Sequence, residues 1–139
     1  MNKKLLIIIA AVVLVLVIGG GIVVFLLTRE PKEEPIVYFE YTFAEEYSNL
    51  ADQDSKKIVK YQVTIEYTNE EMLATLDANK TKIRNNVDEI MRATLSEDIE
   101  KTNGKQRLRD RILQMVIEVL ESDEETITNI YLQPFVIQG

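Results

Sequence analysis

Residues 58–67 read Ile58-Val59-Lys60-Tyr61-Gln62-Val63-Thr64-Ile65-Glu66-Tyr67, and this stretch determines the fold. From Val59 to Tyr67, β-branched or aromatic residues alternate strictly with polar ones. Because successive side chains of a strand point to opposite faces of a sheet, this alternation predicts a strand with one buried face. The chain therefore contains a sheet, and a second layer must cover the buried face of that sheet.

Residues 105–121 form the clearest helix in the sequence. Apolar side chains recur there every three or four residues and define one stripe, made of Leu108, Ile112, Met115, Val116, Val119 and Leu120. Charged and amide side chains occupy most of the other positions. Such a stripe is typical of a helix that packs on a core with one face. We expect this helix to pack on the sheet around Val59, Val63 and Ile65.

Further extended segments lie on either side of these two elements. Residues 36–43 are rich in β-branched and aromatic side chains and predict a strand, whereas residues 45–57 predict a loop or a short helical turn. Residues 127–137 predict a third strand, in which Pro134 indicates an edge position or a bend. The fold class expected from this order is α+β, with a small sheet covered on one face by a helical layer.

Helical signals fill the region between the second and third strands. Thr68 followed by Glu71 has the pattern of a capping box, from which a helix should run to about residue 93 with an interruption near Asn79. Ser96 is expected to cap a further short turn, which ends at Asn103-Gly104. The helical layer should therefore consist of two main helices and one short turn.

The N-terminal part of the chain is apolar without interruption from Leu5 to Leu27. At about 1.5 Å per residue, a helix of this length spans roughly 35 Å, which is enough to cross a hydrocarbon core of about 30 Å. A cleaved signal peptide would have a shorter apolar stretch and a small-x-small cleavage site. We therefore predict one transmembrane helix over residues 5–27. Its membrane-anchoring residues include Leu5, Ile9, Leu14, Ile18, Val23 and Leu27.

The anchor divides the chain into four predicted parts. Residues 1–4 form a short tip, residues 5–27 the transmembrane helix, residues 28–35 an extended linker with two prolines, and residues 36–139 the folded domain. Two basic residues precede the helix and two follow it closely, so the positive-inside rule gives no preference. Because a tip of four residues is typical of the end that stays behind, we expect a cytoplasmic N-terminus and an extracytoplasmic domain.

Composition excludes most kinds of chemistry. The chain has no Cys and no His, which excludes disulfides, thiolate nucleophiles and imidazole bases. Beyond Lys3 and Lys4, it carries 14 basic and 23 acidic groups, a net charge of −9, which argues against nucleic-acid binding. The paired carboxylates lie in polar stretches or at helix starts, where nothing predicts the desolvation that a catalytic acid requires. We expect no enzyme activity, metal, cofactor or small-molecule substrate.

Several segments, taken in order, resemble one protein family. Residues 46–52, which contain Asn49-Leu50, precede the strand at 59–67, and Ile83-Arg84-Asn85-Asn86-Val87 lies in the first domain helix. Residues 95–109 combine an acidic turn, Gly104 and a Lys-x-x-Leu-Arg sequence that includes Leu108. The sequence closes with Phe135-Val136-Ile137-Gln138. With the basic tip, the single anchor and the charged linker, these segments resemble the flagellar basal-body-associated protein FliL family.

This resemblance implies both a fold and a cellular role. The fold would be similar to the stomatin and prohibitin domain. The protein would assemble as a homo-oligomeric ring in the bacterial cell membrane at the flagellar base, beside the stator proteins MotA and MotB. There it would influence flagellar rotation, motility, swarming and chemotaxis. The family positions expected to have structural or interaction roles are Asn49, Leu50, Gly104, Leu108, Phe135 and Gln138.

Two other functions fit the residues without the resemblance. One is a tethered structural adaptor of another cell-envelope machine. The other is a lipid or ligand carrier, which would require an apolar cavity inside the domain.

Overall fold

The computed structural model describes residues 2–54 and 56–139, which divide into two compact units on either side of the bond between Pro35 and Ile36. Met1 of the predicted tip and Ser55 of the predicted loop lie outside the described residues. The first unit contains helix α1 (Lys3–Thr28), all of whose side chains are exposed. An 18-residue window of this helix has a mean hydropathy of 3.2, and the helix is long enough to cross a membrane. Among the described residues there is therefore one candidate membrane helix, near the N-terminus, as the sequence predicts.

The second unit, Ile36–Gly139, is an α+β domain. Its elements in chain order are β1 (Phe39–Thr42), β2 (Glu46–Asn49), β3 (Ile58–Tyr67), α2 (Met72–Arg92), α3 (Ser96–Glu100), α4 (Gly104–Leu120) and β4 (Ile127–Gln138). Among the described residues, the four strands form one antiparallel sheet with β3 at its centre. One edge of β3 pairs with β1 and β2 at its two ends, and the other edge pairs with β4 along its whole length.

The core lies between the sheet and the two long helices. The five odd-numbered side chains of β3 are all buried, and the even-numbered side chains face the opposite side of the sheet, where they remain partly exposed or exposed. Helix α4 contributes Leu108, Ile112, Val116 and Leu120 to the core, and helix α2 contributes Leu76, Ile83, Val87 and Met91. The predicted strand at 58–67 and the predicted core face of the helix at 105–121 are therefore correct.

The strand predictions fail where pairing depends on distant residues. The predicted loop at 45–57 contains strand β2, because residues 46–49 find a partner in the first half of β3. The first strand is shorter than predicted, since Phe39 already pairs with Tyr67, the last residue of β3. Ile36–Tyr38 therefore has no strand opposite it and stays exposed. Pro134 lies in the edge strand β4 beside a register shift, as its sequence position indicates.

The predicted helix starts also need correction. Thr68 does not cap α2, since its hydroxyl donates to the Glu125 carbonyl at 2.8 Å, and Asn69 Oδ1 instead accepts the Glu71 N–H at 3.0 Å. Helix α2 is continuous through Asn79, whose side-chain amide group donates to the Thr75 carbonyl one turn back at 2.9 Å. Ser96 is the first residue of α3 and makes no cap of its own.

Candidate interaction surface

Gly104 has a structural role at the junction of α3 and α4. It is buried, and a Cβ atom at this position would collide with the backbone carbonyl oxygens of Asp98 and Ile99. The preceding residue, Asn103, has φ of 60° in the left-handed region, which lets the chain turn sharply between the two helices. The Asn-Gly pair therefore lets α4 start directly against α3.

Leu50 and Leu108 are core residues rather than contact residues. Leu108 is buried in α4, and Leu50 is buried just after β2, where its N–H donates to the Lys57 carbonyl at 2.9 Å and closes the β2–β3 connection. Phe135 is partly buried on β4 opposite Tyr61, and Lys105 Nζ lies 5.1 Å from the centre of its ring. This cation–π contact links β4 to the first turn of α4.

Asn49 and Gln138 are the two family positions that remain exposed, and the sheet brings them together. Asn49 pairs with Ile58 from one edge of β3, and Gln138 pairs with Ile58 from the other edge. In the next row of the sheet, Tyr47 and Val136 flank Lys60 in the same way. We call these two rows the Ile58 surface, which consists of Tyr47, Asn49, Ile58, Lys60, Val136 and Gln138.

The Ile58 surface has the composition of a protein contact site. Its three large apolar or aromatic side chains are well exposed, at 63% for Tyr47, 40% for Ile58 and 45% for Val136. Lys60 pairs with Glu45 at 3.0 Å, and both the hydrogen bond and the charge of Glu45 raise the pKa of Lys60. An aromatic and aliphatic centre with amide and ionic groups around it resembles the core and rim of protein interfaces.

A polar network on the opposite face of β2 fixes the strand that carries Tyr47 and Asn49. The buried hydroxyl of Ser48 donates to Asp88 of α2 and lies 3.1 Å from the hydroxyl of Tyr61. Arg84 of α2 forms an ion pair with Glu46. Burial raises the pKa of the Tyr61 hydroxyl, which therefore stays protonated as a hydrogen-bonding group. Helix α2 holds β2 in place through these contacts.

The loop after β2 is fixed in the same manner. Asp52 accepts the N–H and the hydroxyl of Ser96 at the start of α3, and the Ala51 N–H donates to the Thr94 carbonyl at 2.9 Å. These bonds to Ser96, first the one from its hydroxyl, lower the pKa of the Asp52 carboxyl. Two of the segments that carry the family resemblance, residues 46–52 and 95–109, thus touch each other.

The interior of the domain has little space for a ligand beside the polar network that joins β2 to α2. An apolar cavity between the sheet and α2, lined in part by Phe43, Val63 and Ile83, has a volume of about 10 Å³. This volume holds one water molecule at most, so the cavity has no space for an acyl chain.

The carboxyl groups of Asp52 and Asp123 titrate below their usual range because each accepts hydrogen bonds. A general acid requires the opposite shift, so neither group is suited to that role.

Sequence reasoning found part of this surface. Asn49 and Gln138 are family positions, whereas Tyr47 and Val136 were not singled out. The sequence does contain a signal for them, because Tyr47 is two residues from Asn49 and Val136 is two residues from Gln138. In a strand, residues two apart lie on the same face of the sheet. The six anchor residues Leu5, Ile9, Leu14, Ile18, Val23 and Leu27 all lie in α1 with exposed side chains.

Comparison with known proteins assigns the chain to a family. The family model described as "Flagellar basal body-associated protein FliL" matches residues 41–138, well over half of the chain. A flagellar protein FliL from Aquifex aeolicus (strain VF5) is 28% identical over 90 residues, which cover 65% of this chain. The match spans only 55% of the length of that relative. The chain belongs to the FliL family of flagellar basal body-associated proteins.

Proposed function

We propose that the protein is a membrane-anchored component of the flagellar basal body that associates with the motor stator and controls flagellar rotation. The observation that carries this proposal is the presence, in one chain, of the FliL domain and the apolar helix α1. Through its effect on rotation the protein supports motility, swarming and chemotaxis. In this role it binds other proteins and catalyses no reaction.

In this proposal the protein is a single-pass protein of the bacterial cell membrane, and α1 is its anchor. Helix α1 has no buried side chain within its own compact unit, so its apolar surface needs a lipid environment. The N-terminus stays in the cytoplasm, and the Ile36–Gly139 domain lies outside it, linked by residues 29–35, which belong to no helix or strand. Because Lys3 and Lys4 precede the apolar segment of α1 and Arg29 and Lys32 follow it, the basic residues give no charge bias, and cysteine labelling is needed to test this orientation.

Stator proteins and other basal-body components are the proposed partners, and the Ile58 surface is the proposed place of contact. Its apolar side chains are held on a rigid sheet, which suits recognition of a partner with little ordering cost. Several copies would form a ring at the flagellar base near the stator, with a domain fold similar to that of stomatin and prohibitin. Anchoring raises the effective concentration of the copies, so weak lateral contacts are sufficient for assembly.

A deletion strain tests this function. Cells without the gene should swim and swarm poorly under viscous load, and the full-length gene should restore both. Ile58→Asp should fail to restore swarming at an equal amount of membrane protein. Leu73→Asp is the matched control, because Leu73 is an exposed apolar side chain on α2, at 46%. Normal swarming of the deletion strain would refute the proposal and favour an adaptor of another envelope machine.

A further inference from the structure

Helix α4 exposes a stripe of side chains opposite its core face. The stripe consists of Arg107, Arg111, Gln114, Glu118 and Glu121, and all five are exposed. The spacing of four, three and four residues from Arg107 to Glu118 places these side chains on one face of α4, and Glu121 follows at the C-cap. Two arginines lie at the N-terminal end, an amide in the middle and two glutamates at the C-terminal end.

This order of charges does not serve the helix itself. The N-terminal end of a helix carries partial positive charge and the C-terminal end partial negative charge, so cations at the start and anions at the end are unfavourable. Arg107 lies in the first turn of α4, Glu118 lies in the last turn, and Glu121 follows directly as the C-cap. The stability of the isolated helix therefore does not explain the order of its charges.

The two arginines of the stripe bond to neutral oxygen atoms of their own chain. Arg107 donates to the Thr102 carbonyl at 2.9 Å, and Arg111 donates to the Thr94 hydroxyl at 3.3 Å. Among the described residues, the ion pairs within 4.0 Å involve other side chains than the four charged ones of the stripe. In a domain with more acidic than basic groups, two arginines without a carboxylate partner are available to an anionic surface.

The stripe is complementary to itself when two copies run antiparallel. With Gln114 facing Gln114 at the centre, Arg107 of one copy lies opposite Glu121 of the other, and Arg111 lies opposite Glu118. A parallel arrangement would instead place arginine against arginine and glutamate against glutamate. A shallow groove lined in part by the partly buried Ile90 and Met115 runs beside the stripe and offers some apolar contact to a second helix.

We propose that the exposed stripe of α4 is a two-fold contact site for the α4 stripe of a second copy of this chain. The contact goes beyond the proposed ring, because a two-fold contact joins copies in pairs, whereas a ring needs a head-to-tail contact between different surfaces. The excess of acidic groups repels free copies, so the contact forms in the membrane, where anchoring brings the copies together. Its ion pairs are exposed and therefore weaken with salt.

Cysteine cross-linking of the full-length protein in membranes tests the geometry, since the natural sequence has no Cys. Gln114→Cys, which lies at the two-fold axis, should form a disulfide-linked homodimer on mild oxidation. Arg107→Cys and Glu121→Cys should cross-link to each other when co-expressed, and much less when each is expressed alone. Glu40→Cys, an exposed position on the sheet face away from the helices, is the control and should give only background cross-linking.

Charge reversal tests the cause. In the Gln114→Cys background, Arg107→Glu with Arg111→Glu should lower cross-linking several-fold at low salt, and adding Glu118→Arg with Glu121→Arg should restore it. These exchanges put acidic groups near the N-terminal end of α4 and basic groups near its C-terminal end, an order that the helix dipole favours. Unfolding of the helix therefore does not explain a loss of cross-linking. Background cross-linking at Gln114, or a loss that the exchange does not restore, would overturn the contact. Swarming of the same strains is a separate measurement. It tests the proposed function, whereas the two-fold contact is tested by cross-linking alone.

Discussion

Asp52 accepts two hydrogen bonds from Ser96, one at Oδ2 from the backbone N–H at 2.9 Å and one at Oδ1 from the hydroxyl at 2.6 Å. The pair joins the loop after β2 to the first residue of α3, 44 positions further along the chain. The acceptor is a carboxylate, and hydrogen bonds to an ionised acceptor are stronger than those between neutral groups.

This pair predicts a specific pH dependence. The pKa of Asp52 is lower in the folded chain than its usual 3.8, so the bonds stabilise the fold above that value. The stabilisation should disappear as the pH falls through the lower, folded pKa. Asp52→Asn should therefore lower the melting temperature at pH 7 and reduce the dependence of stability on pH below about pH 5. Thermal melts from pH 2 to pH 7 measure this, with the exposed Asp54→Asn as control.

Gly104→Ala should destabilise the domain, because the added methyl group meets the carbonyl oxygens of Asp98 and Ile99. Overpacking against rigid backbone costs about 1–3 kcal/mol. Asn103→Gly, one residue earlier, should be tolerated, since glycine adopts the left-handed conformation of that position without strain. Urea unfolding of both variants measures the difference. Equal stability of Gly104→Ala and the wild type would mean that α3 moves away from α4 easily.

Leu108→Ala should lower the free energy of unfolding by about 2–5 kcal/mol, because it leaves a cavity in a well-packed core. The matched control is Leu73→Ala, the same substitution at a side chain that is 46% exposed, and it should change stability by less than about 1 kcal/mol. Chemical denaturation of the two variants side by side measures the difference. Similar losses of stability in both variants would show that Leu108 does not lie in the core.

The proposed orientation predicts which positions a membrane-impermeant maleimide can reach. Glu70→Cys, exposed in the turn before α2, should react in intact spheroplasts. Asn2→Cys should react only after lysis, because it precedes the membrane helix. Both variants start from a chain without cysteine, so each reports one position. The opposite labelling pattern would reverse the topology.

The sequence predicted the elements whose signal is local. Strand β3 alternates over its full length, and α4 repeats its apolar stripe over four turns, so both appear within one residue of the predicted bounds. Strand β2 could not be predicted, because its four residues resemble a polar loop and become a strand only through pairing with β3. Ile36–Tyr38 shows the reverse case, since strand-forming residues stay unpaired where no partner strand reaches them.

Prediction of the Ile58 surface also required knowledge of strand pairing between residues that are far apart in the sequence. Asn49 and Gln138 are separated by almost the whole domain sequence, and neither has a local signal that relates it to the other. Their shared neighbour Ile58 brings them together through two separate strand pairings. The family resemblance identified both positions, but only the register of the sheet shows that they form one surface with Tyr47 and Val136.

The central position of β3 also determines when this domain can fold during synthesis. The strand β4, which covers one whole edge of β3, follows it in sequence only after three helices. A nascent chain therefore exposes an incomplete sheet until about 70 further residues have left the ribosome. During that time α1, which is synthesised first, is already available for insertion into a membrane. In the proposed orientation, late pairing of β4 would keep the domain unfolded, and therefore transportable, until it has crossed the membrane.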